Sequence, residues 1–220
     1  MLRCGIGRLG ATLGKVITIA QQKGGSGKTT LAVNLACALV ESGRSVALLD
    51  TDPQGSLGRW FMARRERMTN PGMEFSTASA WGVSYECEKL KRVADVVIVD
   101  TPPKVDADLR PALREADLIL VPVASSHVDL WATEGLLDLA RRENKVVTLV
   151  LNRVKPGTRL AAEVATAAAA TGAQVAAAQW SSRIVYAETL GQGLGVTEAA
   201  RSGPAAAEVR ALLAEIDALD

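Results

Sequence analysis

Residues Lys23–Thr30 read Lys-Gly-Gly-Ser-Gly-Lys-Thr-Thr, and this stretch decides which fold the chain can adopt. It follows Lys15–Ala20 (KVITIA), an apolar run typical of a buried strand, and precedes Leu31–Val40 (LAVNLACALV), which has helical apolar spacing. A strand, a glycine-rich loop and a helix in this order form a phosphate cradle, because glycines let backbone N–H groups approach an anion at a helix N-terminus. In such a cradle the Lys28 ammonium would reach the β- and γ-phosphates of a nucleotide, and the Thr29 hydroxyl would bind Mg²⁺. The other loop residues predicted to contact the nucleotide are Gly24, Gly25, Ser26, Gly27 and Thr30.

The loop departs from the common P-loop pattern G-x-x-x-x-G-K-[ST]. Gln22 stands where the first glycine would be, and Lys23 adds a second lysine at the start of the loop. This form resembles the deviant Walker A motif of the ParA/MinD group of ATPases. In that group the early lysine crosses a dimer interface and contacts the phosphates bound by the partner subunit. The resemblance therefore implies that Lys23 acts in catalysis with Lys28, in a homodimer that forms when ATP is bound.

Two further apolar runs end in acidic residues. Ser45–Asp50 (SVALLD) leads into Asp-Thr-Asp-Pro-Gln-Gly, which resembles the Walker A′ segment of the group, and Asp95–Asp100 (DVVIVD) resembles Walker B. The resemblance implies that Asp52 orients the attacking water, that Asp50 supports the loop and the metal shell, and that Asp100 holds Mg²⁺. These roles suit phosphoryl transfer, which needs positioning and charge compensation more than a strong base. The Thr101-Pro102-Pro103 segment then resembles a switch loop that senses the γ-phosphate.

The alternation of strands and helices predicts one α/β domain, a P-loop NTPase whose mostly parallel sheet is covered by helices on both faces. Such sheets bind ligands beyond the carboxyl ends of their strands, where all three motifs are expected to lie. The predicted strands are Val16–Ala20, Val46–Asp50, Glu74–Thr77, Val96–Asp100, Leu118–Val123, Val146–Asn152 and Gln174–Ala178. The predicted helices are Lys28–Glu41, Ser56–Arg67, Val83–Val93, Leu109–Glu115, Ala132–Glu143 and Ala161–Thr171.

Composition fits this class. The chain has 220 residues, of which 48% are hydrophobic and 22% charged, and no apolar run approaches the length of a membrane span. Residues 1–14 are expected to be a disordered leader or to precede the true start, with the ATPase domain covering residues 15–220. Three scattered cysteines, Cys4, Cys37 and Cys87, argue against a disulfide framework and suit a reducing cytosol, and Cys37 is predicted to lie in the core.

Other residues take roles from the resemblance. Asn152, after the strand at Val146, would contact the adenine base, Arg153 would stack or pair near it, and Asp129 can lie at the dimer interface. For Asn152 and Arg153 the alternative is an ordinary turn at the end of a strand. His127, the only histidine, is predicted to be an exposed loop residue because no other ligands stand at metal-binding spacing.

DNA binding is predicted from the resemblance and not from overall charge. The formal net charge is only +1, so no basic field indicates a nucleic-acid partner. Local basic clusters are predicted to be mostly solvated helix faces; they are Arg59, Arg64, Arg65 and Arg67; Lys89, Lys91 and Arg92; and Arg141 and Arg142. The segment Ser182–Val196 resembles the region where ParA proteins place an arginine for non-specific DNA contact, here Arg183.

The leading hypothesis is thus a cytoplasmic, nucleoid-associated ATPase with the cofactors ATP and Mg²⁺. Its ATP-bound dimer would bind DNA non-specifically, and a ParB-like or cargo adaptor protein would stimulate slow hydrolysis, so that plasmid or chromosome loci or a protein cargo are segregated or positioned. A MinD-like membrane-cycling division regulator is the first alternative, disfavoured because Ala206–Asp220 is amphipathic but acidic and should pack as a core helix, so that no membrane partner is expected. An electron carrier like the nitrogenase iron protein lacks suitably placed cysteines. The last alternative, a structural adaptor whose nucleotide site is inactive, is disfavoured because the lysines and aspartates of the nucleotide motifs are intact.

Overall fold

The protein folds around one sheet of seven parallel strands. A computed structural model describes residues 13–104 and 109–219, with the backbone alone at Ala80. The strands lie in the order β3-β2-β4-β1-β5-β6-β7, and each neighbouring pair is parallel. The strands are β1 (Lys15–Ile19), β2 (Val46–Asp50), β3 (Glu74–Thr77), β4 (Val96–Asp100), β5 (Leu118–Ala124), β6 (Val147–Asn152) and β7 (Gln174–Val175).

Helices cover both faces of this sheet, so the central strands are apolar on both sides. The helices are α1 (Lys28–Glu41), α2 (Ser56–Arg67), α3 (Val83–Leu90), α4 (Arg110–Glu115), α5 (His127–Trp131), α6 (Glu134–Arg142), α7 (Arg159–Ala169), α8 (Ile184–Gly191), α9 (Val196–Ala199) and α10 (Pro204–Asp217). Side chains of α1, α2, α8, α9 and α10 form the core on one face, and those of α3 to α7 pack on the other. The predicted fold class is confirmed.

The register of the strands brings the motif-bearing ends together. Ile19, the last residue of β1, lies opposite Asp100, and Asp50 lies opposite Asp100 on the other side of β4. The glycine-rich loop, the segment after β2 and the segment after β4 therefore leave the sheet side by side.

Every predicted strand and helix is present, with bounds within three residues of those predicted. β2, β3, β4, α1 and α2 begin and end where predicted, whereas β7 stops at Val175. The prediction that His127 lies in a loop is wrong, because the Ser126 side chain accepts the Asp129 N–H and starts helix α5. The short helices α8 and α9 were not predicted.

Arg64 corrects another prediction, since it is not part of a solvated basic face. Its side chain is 3% exposed and forms a bidentate ion pair with Glu198, with distances of 2.8 and 2.7 Å. Its guanidinium also donates to the carbonyl oxygens of Pro71 and Gly193. These contacts join α2, the helix that follows the Asp52 segment, to α9.

The two ends of the chain were the subject of further predictions. Residues 1–12 of the expected leader lie outside the described residues, but the Gly14 N–H already donates to the Lys91 carbonyl oxygen. The C-terminal segment forms a core helix as predicted, because Val209, Leu212 and Ile216 of α10 are buried. In the described part of the chain, no helix is both long and apolar enough to cross a membrane.

Candidate functional site

The glycine-rich loop joins β1 to α1 and opens onto a cleft of about 340 Å³. Loop residues provide half of its lining, and the segments that follow β2 and β4 provide more. The lining residues are Gly24, Gly25, Gly27, Lys28, Thr29, Thr30, Asp52, Gln54, Ser56, Pro103, Arg153 and Leu190. A larger cleft of about 480 Å³ between α6 and α7 contains none of the sequence motifs. The loop cleft is therefore the candidate site.

The loop conformation requires glycine at two positions. Gly25 and Gly27 have φ angles of +75° and +98°, which side chains other than glycine rarely adopt. Gly27 precedes α1 without a side-chain cap, so the first N–H groups of the helix are left for a ligand. This combination of free N–H groups and helix dipole favours an anion.

Lys28, the first residue of α1, is only 7% exposed. Burial lowers the pKa of its ammonium, and the negative charges of Asp100 and Asp52 partly oppose that effect. A phosphate group entering the cleft would add negative charge beside the ammonium and favour its charged form. The placement suits a phosphate-binding lysine, and that role stays a prediction.

Thr29 and Asp100 meet directly, as their predicted roles in holding a metal require. The Thr29 hydroxyl donates to Asp100 Oδ2 at 2.6 Å, while Asp100 Oδ1 is buried without a partner among the described residues. Burial raises the pKa of Asp100 to about 7, against the lowering effect of the Thr29 hydrogen bond. A hydroxyl and one carboxylate, completed by phosphate oxygens and waters, are a donor set that suits Mg²⁺. Among the described residues, no cluster of three acidic, histidine or cysteine side chains could hold a metal without such completion.

Asp50 and Asp52 shape the segment after β2. Asp50 accepts the Asp52 N–H at Oδ1 and the Gly58 N–H at Oδ2, with distances of 3.0 and 2.9 Å, so its carboxylate fixes both the loop and the start of α2. The pKa of Asp50 is raised, chiefly by burial. Asp52 lines the cleft and accepts the Gln54 N–H at 2.9 Å. Asp52 thus lies in the same cleft as the phosphate loop, while its catalytic role and the metal role of Asp50 stay predictions.

Lys23 forms an ion pair within its own chain. Its Nζ lies 2.8 Å from Asp129 Oδ1, with the lysine side chain 41% exposed and the aspartate 10% exposed. Ser126 donates a hydrogen bond to the other oxygen of Asp129, which fixes the carboxylate at the start of α5. Sequence reasoning singled out both residues but did not predict that they pair.

Comparison with known proteins agrees with this geometry. The family model for the CobQ/CobB/MinD/ParA nucleotide binding domain matches residues 17–178. The chain belongs to this family. The match confirms the resemblance to the ParA/MinD group that the motifs indicated.

Two relatives and one solved structure illustrate the range of the family. A "Maintenance of carboxysome distribution protein A" from Halothiobacillus neapolitanus is 32% identical over 208 residues, covering 91% of this chain and 95% of the relative. The "Chromosome partitioning protein ParA" of Myxococcus xanthus is 29% identical over 187 residues, covering 68% of this chain and 64% of the relative. The septum site-determining protein MinD of Pyrococcus horikoshii, complexed with Mg-ADP, superposes with a TM-score of 0.79 at 18% identity over 94% of this chain and 97% of that chain. This last likeness shows a shared fold.

Two residues whose predicted roles come from the resemblance to the ParA/MinD group lie near the loop. Arg153 lines the cleft, whereas Asn152 is 6% exposed and donates to the Ser26 carbonyl oxygen behind the loop. Leu190 of α8 also lines the cleft, although no motif indicated it, because it comes from a distant short helix. The predicted base contacts of Asn152 and Arg153 stay predictions.

The predicted DNA contact, Arg183, precedes α8 and is bound to α10. Its Nε and a terminal nitrogen donate to Glu208 Oε1 at 3.0 and 2.9 Å, and its side chain is 34% exposed. Glu208 also accepts from the Ser181 N–H and the Tyr186 hydroxyl. Arg183 is therefore a partly neutralised arginine, not a free cation.

Proposed function

We propose that the protein is a Mg²⁺-dependent ATPase that dimerises with ATP bound and then binds DNA non-specifically to position a cargo. One observation carries the proposal: Lys28, the Thr29–Asp100 pair and Asp52 converge on a single cleft at the start of α1. This convergence would supply the parts that phosphoryl transfer needs, namely a phosphate cradle, metal donors and a carboxylate to orient the attacking water.

The proposed roles combine this geometry with the resemblance to the ParA/MinD group. Lys28 and the loop N–H groups hold the phosphates, and Thr29 and Asp100 hold Mg²⁺, which when bound would neutralise charge on the phosphate oxygens. Asp52 orients the attacking water. Lys23 exchanges Asp129 for the phosphates of the partner subunit, so that two chains complete two sites. Intrinsic turnover is slow until a ParB-like or cargo adaptor protein aligns the site.

Asp52→Ala should lower ATP turnover by about 100-fold while ATP binding and the ATP-bound dimer persist, because the water loses its orienting acid. Phosphate release would measure turnover, and light scattering with MgATP would measure the dimer, which itself requires bound ATP. Asp138→Ala, an exposed carboxylate on α6, is the matched control. Wild-type turnover in the Asp52 variant would place catalysis on another residue.

The cargo class is suggested by the relatives. One is named for carboxysome distribution and another for chromosome partitioning, so a protein assembly and a DNA locus are both candidate cargoes. If the protein binds bulk DNA, it would be located in the cytoplasm and associated with the nucleoid. A membrane-cycling role draws less support, since the apolar face of α10 is already buried in the core.

Arg183 is the candidate DNA contact. Because Glu208 holds one edge of its guanidinium, a DNA phosphate would bind the remaining donors or displace the carboxylate. A dimer would join two such weak contacts into one surface.

The test is binding to a random-sequence DNA duplex with MgATP, MgADP or no nucleotide, across a salt titration. Salt-sensitive binding only with MgATP is expected, since phosphate contacts release counterions. Arg183→Ala should reduce the slope of log affinity against log salt by about one for each chain in contact, whereas Arg92→Ala, an arginine paired with Glu88, should leave it unchanged. No binding in any nucleotide state, with ATP-dependent dimerisation intact, would reject the DNA-binding part of the proposal.

A further inference from the structure

Asn152 is the last residue of β6, and its side chain lies against the inner side of the phosphate loop. The Nδ2 amide donates to the carbonyl oxygen of Ser26 at 2.9 Å, in a contact that is fully buried. Asn152 and Ser26 are 6% and 2% exposed. The amide therefore binds the backbone of the loop at a place that solvent does not reach.

The approach is close enough to constrain the sequence of the loop. A Cβ atom at Gly27 would lie 2.3 Å from Asn152 Nδ2, so the residue after Ser26 must lack a side chain for this contact to form. The φ angle of +98° at Gly27 imposes the same requirement independently. The sequence of the loop therefore has to accommodate the Asn152 side chain as well as a ligand.

The same side chain also holds the segment beyond β6. Its Oδ1 accepts the N–H of Arg153 at 2.8 Å, and Arg153, with φ of +53°, lines the cleft. One amide group therefore joins the phosphate loop to the residue that follows β6.

We propose that Asn152 is a positioning residue that holds the phosphate loop in its anion-binding conformation through the Ser26 carbonyl. The proposal rests on the proposed function, because it assumes that this cleft binds ATP. Glycine gives the loop many backbone conformations, and a buried hydrogen bond to its centre selects one of them. Removing the donor leaves the Ser26 carbonyl unsatisfied unless the loop moves.

The experiment compares the binding of ATP with that of ITP, which carries the same triphosphate but lacks the adenine amino group. Asn152→Ala should weaken both nucleotides by about tenfold and leave their affinity ratio unchanged, because the defect lies in the phosphate cradle. Asn152→Asp keeps the side-chain volume but replaces the donor with an acceptor, and it should weaken both at least as much. Titration calorimetry, at a temperature well below that of unfolding, would measure the affinities of the folded protein. A variant that is only less stable would then still bind both nucleotides with wild-type affinity.

Asn70→Ala is the matched control, since Asn70 is an exposed asparagine whose Oδ1 accepts the Gly72 N–H away from the cleft. A loss of ATP affinity with ITP affinity unchanged would overturn the proposal in favour of base recognition. Unchanged affinities for both nucleotides would overturn it as well. If the wild-type protein binds neither nucleotide, the proposed function itself fails, which is a separate result.

Discussion

Lys28→Ala is expected to abolish nucleotide binding, with a loss of ATP affinity of about 100-fold or more, because charge-assisted hydrogen bonds to the phosphates disappear. Lys28 is the buried cation at the start of α1, and Asp52 and Asp100 lie close enough to affect its pKa. Without Lys28, a triphosphate would lie near the Asp52 carboxylate with no ammonium to offset that charge. Repulsion therefore adds to the lost bonds.

Titration with ATP in the presence of Mg²⁺ would measure this effect, and thermal unfolding without nucleotide would show that the variant is folded. Folding should persist, because burial already disfavours the charged form of Lys28. Lys89→Ala, at a lysine that is 60% exposed on α3, provides the control. Unchanged ATP affinity in the Lys28 variant would contradict the assignment of the loop as a phosphate cradle.

The sequence predicted the phosphate cradle because the residues that form it are adjacent in the chain. A run such as Lys23–Thr30 contains its own glycines, its lysine and the start of its helix, so no distant contact is needed to recognise it. Strands β2 and β4 could be predicted with correct bounds for a similar reason: each is a continuous apolar run that ends in an acidic residue. The parallel register then placed Asp50 and Asp100 together.

The remaining contacts depend on residues that are far apart in sequence. Arg64 reaches Glu198 across 134 positions, and Asn152 reaches Ser26 across 126. An arginine on a helix with three neighbouring arginines gives no local sign that it is buried, since only the tertiary fold provides its carboxylate. Helices α8 and α9 have only eight and four residues, so each offers little apolar periodicity on which to base a prediction.

Lys23→Ala should retain ATP binding yet lose the ATP-dependent dimer, because the lysine that completes the partner's site is gone. The ion pair between Lys23 and Asp129 indicates how the residue would switch. With a lysine that is 41% exposed, this pair contributes at most about 1 kcal/mol. Because the pair is weak, Lys23 can leave Asp129 and contact the triphosphate bound to a second chain, which carries more negative charge.

Asp129→Asn separates the two contacts of Lys23. This variant removes the charge that holds Lys23 within its own chain, but the Asp129 N–H that Ser126 caps is unaffected. We therefore expect the ATP-bound dimer of Asp129→Asn to be as stable as wild type, or up to about thirtyfold tighter if the ion pairs of both chains oppose association at about 1 kcal/mol each.

Light scattering with MgATP, beside calorimetry for ATP affinity, would distinguish these variants. The cross-subunit role requires Lys23→Ala to remain monomeric at concentrations where Asp129→Asn and wild type dimerise. If Lys23→Ala dimerises normally, Lys23 acts only within its own chain, through Asp129 and α5. If both variants lose the dimer, the ion pair itself supports the dimerising surface, and Lys23 would shape that surface from its own side instead of reaching across it.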